Sequence, residues 1–204
     1  MGVFTHWPNR ITAMRFLGTI ALLALLSSVA DLGPTEVDAH RTTVLIAFWL
    51  FVLTAASDVV DGYIARKYEV VTAFGRIADP FTDKFLILGV MLYGAVMPWT
   101  RVWMAEWMVA TILARELLVT GIRGYVEKVG GEFPADRWGK LKMLLQSIST
   151  GGLLWMEAFA WEPGWFERWS IVLHVVVGST VAATVLSGVN YVLRTRRILA
   201  ETDR

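Results

Sequence analysis

The fold class the sequence predicts is an all-α integral membrane protein of six transmembrane helices, with both termini in the cytoplasm. Three observations predict it. Of the 204 residues, 55% are hydrophobic and only 18% charged, below the roughly 25% of an ordinary soluble domain. Six apolar runs recur, near residues 11–30, 43–64, 78–98, 102–124, 139–160 and 170–193, and a spanning helix needs about 20 residues. The charges also sort by end. Asp31, Glu36, Asp38, Glu106, Glu157, Glu162 and Glu167 occupy alternate connections, against only Arg41, Arg101 and Arg168. Arg10, Arg15, Arg66, Lys67, Arg76, Arg123, Lys128, Arg137, Lys140, Lys142, Arg194, Arg196 and Arg197 occupy the others. The excess of basic residues marks the cytoplasmic side, and an even number of spans agrees with both termini lying there.

The first helix reads "FLGTIALLALLSSVA" after Arg10 and Arg15, with Trp7, Pro8 and Asn9 ahead of it. That lead is unlike a cleaved signal, so the span is expected to be retained. The second apolar run, Thr43 to Ser57, is too short to cross about 30 Å of hydrocarbon. Its helix must therefore continue through Asp58 and Asp61 to about Ala65. The third run, Phe85 to Pro98, is shorter still and must begin near Ala78, with Pro80 tolerated in a first turn that needs no donor there. The fourth helix carries Arg115 at depth. The fifth is entered past Lys140 and Lys142, and the sixth runs through valines around His174 to Arg194. Trp99, Trp103, Trp107, Trp155, Trp161, Trp165 and Trp169 cluster at the outer boundary, as an aromatic belt does. Core packing accounts for one or two of them. The connections are short, no repeat appears, and residues 1–204 read as one domain.

Helical spacing directs the carboxylates. Asp58 and Asp61 are three apart, and Asp79 and Asp83 four apart, so each pair shares a helix face at the cytoplasmic end of the bundle. Two antiparallel neighbours could then aim all four at one place. Four carboxylates so close repel unless something positive intervenes. All-oxygen ligation suits Mg²⁺, Mn²⁺ or Ca²⁺, and two ions would form the clamp that recurs in phosphoryl displacement. Gly62 and Gly75 lack a Cβ and would admit a bulky ligand. Arg66, one turn past Asp61, could meet a diphosphate with two hydrogen bonds. Gly62 as a simple helix-packing residue is the competing reading. The aspartates have no comparable structural reading, because intramembrane carboxylates are functional by default. With no Cys, disulfides and thiolate metal sites are excluded, and His6, His40 and His174 form no pair at metal-ligand spacing.

The pattern Asp58-x2-Asp61-Gly62-x2-Ala65-Arg66-x8-Gly75-x3-Asp79-x3-Asp83 is similar, without a departure, to the signature of the CDP-alcohol phosphotransferase family. The resemblance implies six transmembrane helices, a homodimer, divalent metal (Mg²⁺ or Mn²⁺, two ions) and displacement of CMP from a CDP-linked donor. It implies that Asp58, Asp61 and Asp79 bind metal, with Asp83 completing the site and acting as the catalytic base. Asn9, Thr12, Arg15, Asp58, Gly62, Arg66, Gly75 and Asp79 would bind the cytidine diphosphate. Asn9, Thr12 and Arg15 share about one face of the first helix, although Asn and Thr there also suit a helix cap.

"PNRITAMRF" at 8–16, "ILARELLVTGIRGYVEKVG" at 112–130 and "WGKLKMLLQSIS" at 138–149 resemble the bacterial phosphatidylglycerophosphate synthase branch. CDP-diacylglycerol is then the expected donor and sn-glycerol 3-phosphate the expected acceptor. The charges favour a phosphorylated acceptor too. Arg115 lies roughly 21 Å below the outer boundary by helical rise, near the depth of the aspartates. Arg115, Arg123 and Lys140 are the expected phosphate ligands; a buried counter-ion is the competing reading of Arg115. Lys128, Arg194, Arg196 and Arg197 read as topology and anionic-lipid contacts. Synthases of phosphatidylserine, phosphatidylinositol phosphate or cardiolipin would share the aspartates. A divalent cation channel would need a polar line through the outer halves of the helices, and none continues there. A structural adaptor leaves the aspartates without a reason. An inner (cytoplasmic) membrane location, an active site facing the cytoplasm, membrane-lipid contacts and no nucleic-acid partner complete the expectation.

Overall fold

Each apolar run becomes one α-helix in the structure, a computed structural model. The helices are α1 (Trp7–Ser28), α2 (Arg41–Lys67), α3 (Ala73–Val96), α4 (Glu106–Lys128), α5 (Arg137–Phe159) and α6 (Pro163–Thr202). The description covers residues 7–33, 36, 40–67, 73–128, 137–159 and 163–202, without the side chains at 7, 8, 58–67, 73, 74, 76, 77, 137, 163 and 197–202. No strand occurs among the described residues.

Local chemistry sets the ends. Pro98 follows the last turn of α3, and Thr100 Oγ1 donates to the Gly94 carbonyl at 2.8 Å, satisfying an acceptor the helix leaves orphaned. α4 opens on Glu106 and closes on Lys128, each complementing the macrodipole at its end. α6 starts on Pro163, whose missing N–H costs nothing in a first position.

Two boundaries differ from expectation. α3 starts at Ala73, five residues before Ala78, so Pro80 lies inside the helix and not in its first turn. A proline there cannot donate four residues back. Thr82 Oγ1 donates to the Ala78 carbonyl at 2.8 Å and supplies a side-chain bond within the same stretch. α6 has 40 residues, roughly 60 Å by helical rise, well beyond the apolar run at 170–193.

The helices close into a ring. α1 packs between α2 and α3, α2 meets α5, α5 meets α6, α6 meets α4, and α4 returns to α3; α3 and α5 also touch across the middle. α2 and α3 also touch each other directly, less extensively than each packs against α1. One core, including Leu22, Val44, Phe51, Val90 and Leu154, fills the α1–α2–α3 side and reaches α5. A second, including Met91, Trp103, Ile112, Leu153 and Val177, joins α3 to α4, α5 and α6. A Cβ on Gly89 would come within 3.0 Å of Leu23, so the glycine sets how closely α3 approaches α1.

Several buried serine and threonine hydroxyls are satisfied within the bundle. Thr180, Thr184 and Thr195 donate to carbonyls four residues back in α6, and Ser149 pairs with Thr180 at 2.6 Å. A bundle in hydrocarbon needs that closure. Leu17, Leu53, Leu92, Leu117, Ile171 and Leu186 face outward. Among the described residues two stretches, Asn9–Ser28 and Gly164–Arg196, are long and apolar enough to cross a membrane, and the Arg41–Ser57 part of α2 is a shorter apolar stretch.

The boundary tryptophans divide between surface and core, two of them taking the core-packing reading. Trp107 and Trp165 are exposed, but Trp99 and Trp103 are buried in the two cores. Trp103 Nε1 donates to Ser170 Oγ at 2.8 Å, tying the α3–α4 corner to α6. A buried indole needs such a partner. Trp161 lies outside the described residues.

Candidate active site

Two polar clusters lie on adjacent faces of α3. Asp79 and Asp83 are one turn apart and face α1. Thr12 Oγ1 donates to Asp79 Oδ1 at 2.6 Å, and Arg15 Nη1 meets Asp83 Oδ1 at 2.8 Å. The Arg15 side chain is 0% exposed and that of Asp83 29%, so the pair runs from the packed interior to an accessible edge. Arg15 Nε also reaches Ser57 Oγ on α2, at a long 3.4 Å. α1 thus bridges the helix carrying Asp79 and Asp83 to the helix carrying Asp58 and Asp61. Asn9 and Gly75 are buried at the same end.

Of the sequence-predicted site residues, the structure brings Thr12, Arg15, Asp79 and Asp83 together. Asp58, Asp61, Gly62 and Arg66 fall within α2, but their side chains lie outside the described residues. The donor set present suits a hard cation: two carboxylates spaced one turn apart, with no sulfur or imidazole beside them. Among the described residues no group of three or more His, Cys, Asp or Glu forms; the side chains of Asp58 and Asp61 lie outside that description.

The second cluster begins one residue later. A step of about 100° along the helix turns Lys84 away from α1 and toward α4. There Glu116 collects three cations. Lys142 of α5 hydrogen-bonds to its Oε1, Arg115 Nη1 lies 3.1 Å from the same oxygen, and Lys84 Nζ lies 3.9 Å from Oε2. Lys84 also donates to Thr120 Oγ1 at 2.5 Å. Glu116 and Lys142 are both buried. The backbone of α6 completes the enclosure at Gly188, where a Cβ would lie 3.1 Å from Arg115 Cγ.

The expected phosphate ligands separate here. Arg115 belongs to this cluster, whereas Arg123 and Lys140 are exposed and are not among the cations that meet Glu116. Sequence reasoning missed Lys84, Glu116 and Lys142 as a unit. From sequence, Lys142 is one of two basic residues at the entry to the fifth helix, with no carboxylate partner assigned to it. The available signal was a Glu next to an Arg in the middle of an apolar run, which demands a buried partner.

Two donors in this region have no hydrogen-bond partner among the described residues: Arg115 Nε and Gln146 Nε2, both buried. Gln146 follows Lys142 by one turn on α5. Among the described residues, three cations against one carboxylate leave a surplus of two positive charges beside two unused N–H donors. Lys142 and Arg115 are mostly buried while Lys84 is partly exposed, so the inner part of this excess favours the entry of an anion.

Comparison with known proteins extends these observations. The family profile described as CDP-alcohol phosphatidyltransferase matches residues 5–185. A Bacillus subtilis protein named CDP-diacylglycerol--glycerol-3-phosphate 3-phosphatidyltransferase is 33% identical over 178 residues, covering 86% of this chain and 90% of the relative. A Rickettsia prowazekii protein of the same name is 41% identical over 154 residues, covering 76% and 77%. A Mycobacterium tuberculosis protein named probable phosphatidylglycerophosphate synthase is 34% identical, covering 78% and 69%.

Proposed function

The chain belongs to the CDP-alcohol phosphatidyltransferase family, and we propose that it transfers the phosphatidyl group of CDP-diacylglycerol to sn-glycerol 3-phosphate. The products are phosphatidylglycerol phosphate and CMP, a step of phospholipid biosynthesis. The observation that carries this reading is the length of the match to relatives named for that reaction. The charge around Arg115 supports the acceptor class. A phosphate monoester carries about −1.5 to −2 at neutral pH, which balances the surplus of two. Serine or inositol would leave it uncompensated.

The acceptor hydroxyl attacks the phosphorus that bears the diacylglycerol, and the bond to the CMP oxygen breaks. Asp83 takes the hydroxyl proton, its carboxylate oriented by Arg15 on Oδ1. Thr12 fixes the neighbouring carboxylate of Asp79 through Oδ1. Asn9, Gly62, Arg66 and Gly75 border the cytidine diphosphate. The family uses divalent metal ions; Mg²⁺ or Mn²⁺, two ions held by Asp58, Asp61, Asp79 and Asp83, would neutralise the diphosphate and the departing CMP. Arg115 holds the acceptor phosphate, and the exposed Arg123 and Lys140 draw the anion in from the cytoplasm. The enzyme is an integral membrane protein. Six spans, cytoplasmic termini, an inner-membrane location and a homodimer complete the proposal.

Purified protein with CDP-diacylglycerol and Mg²⁺ is expected to release CMP on addition of glycerol 3-phosphate and not of serine or myo-inositol. Asp83→Asn is expected to abolish release. Turnover with serine alone would overturn the acceptor while leaving the family intact.

A further inference from the structure

Glu116 is a single carboxylate placed where an anion-binding pocket ought to avoid one. It sits beside Arg115 and within reach of Lys142 and Lys84, so it competes with any phosphate for the same cations. Removing it would raise the local positive charge, and a site selected for charge alone would lack it. Its geometry offers another reason. One oxygen, Oε1, takes both Lys142 of α5 and Arg115 of α4, while Oε2 faces Lys84 of α3. Three flexible cationic side chains from three helices are tied to one point.

That tie leaves specific donors for a guest. Arg115 uses Nη1 on Glu116, and its Nε stays buried without a partner among the described residues. Gln146 Nε2 is in the same condition. A guanidinium loses less entropy per hydrogen bond when it is already held, and the positions of reacting groups must be kept within a fraction of an ångström.

We propose that Glu116 is a positioning residue for the acceptor phosphate, anchoring Arg115 and Lys142 so that the remaining guanidinium donors of Arg115 meet a phosphomonoester in a fixed orientation. The inference rests on the proposed acceptor. Glu116 touches no substrate and acts through the cations.

Steady-state CMP release by the full-length protein, with each substrate varied in turn, tests this. Glu116→Gln is expected to raise the KM for glycerol 3-phosphate about tenfold or more, the scale of one charge-assisted hydrogen bond. The KM for CDP-diacylglycerol and kcat should stay within about threefold. An unchanged or lower KM for glycerol 3-phosphate would mean that Glu116 only balances charge, and would overturn the proposal. Breaking a buried pair can also unfold a protein, whereas replacing both partners often does not. Glu116→Gln with Lys142→Met therefore serves as a second variant. It should accumulate as folded protein and still show the raised acceptor KM. A KM restored to the wild-type value in that variant would overturn the positioning role. If wild-type protein turns over serine and not glycerol 3-phosphate, the acceptor reading and this inference fall together. If wild-type protein uses glycerol 3-phosphate normally and neither variant changes its KM, only the inference falls.

Discussion

Arg15 and Asp83 set a constraint on how the base can be tested. The guanidinium is fully buried and the carboxylate partly so, 2.8 Å apart. Asp83→Asn keeps an oxygen for Arg15 and removes the basic group, so loss of turnover in a protein that melts near the wild-type temperature isolates the chemistry. Asp83→Ala removes the carboxylate from the buried guanidinium. It should cost about 2–3 kcal/mol, at or below the lower end for breaking a buried pair, because Asp83 is partly solvated. The melting temperature should fall by about 5–10 °C. Equal melting of the two variants would show that the contact does not hold the fold.

The helices divide the work between them. α1 supplies Thr12 and Arg15 to the carboxylates, and α3 turns Asp79 and Asp83 to one neighbour and Lys84 to another. α6 contributes no charge to the described clusters; it contributes the absence of a side chain at Gly188. Gly188→Ala separates packing from stability. Helix propensity alone favours alanine by about 1 kcal/mol, so the melting temperature should hold or rise. Its Cβ, 3.1 Å from Arg115 Cγ, should displace the arginine stem and raise the glycerol 3-phosphate KM about three- to fivefold. An unchanged KM would show that Arg115 has slack against α6.

For the whole molecule, the ring order brings helices distant in sequence to one end and gives the protein an orientation that can be measured. The chain has no cysteine, so single introduced cysteines report topology without background. With both termini cytoplasmic, Glu36→Cys between α1 and α2 should react with a membrane-impermeant maleimide from outside the inner membrane. Lys128→Cys at the end of α4 should react only once the cytoplasmic side is opened. Labelling of both from the same side would contradict the proposed arrangement, since α2, α3 and α4 carry the chain across an odd number of times between them.

How far the chain could be read before folding depends on the range of the interaction involved. Six helices were legible because apolar runs and the length of a span are local properties. The turn spacing of Asp79 and Asp83 was legible because helix geometry alone dictates it. Local reasoning also carried the third helix too short, since it extended the apolar run only as far as a span requires and so left Pro80 in the first turn, where α3 holds it inside the helix. The partners were not legible. That Arg15 would meet Asp83, 68 residues away, or that Lys142 would find Glu116, 26 residues away, depends on which helices are neighbours. Trp99 and Trp103 looked like boundary residues for the same reason, and only the α3–α4 corner turned them inward. Sequence by itself determined the elements, the family signature and the chemistry available at one end of the bundle. Tertiary structure alone decided which charge lies against which, because electrostatic pairing in a bundle follows the ring order of its helices, and nothing local in the chain encodes that order.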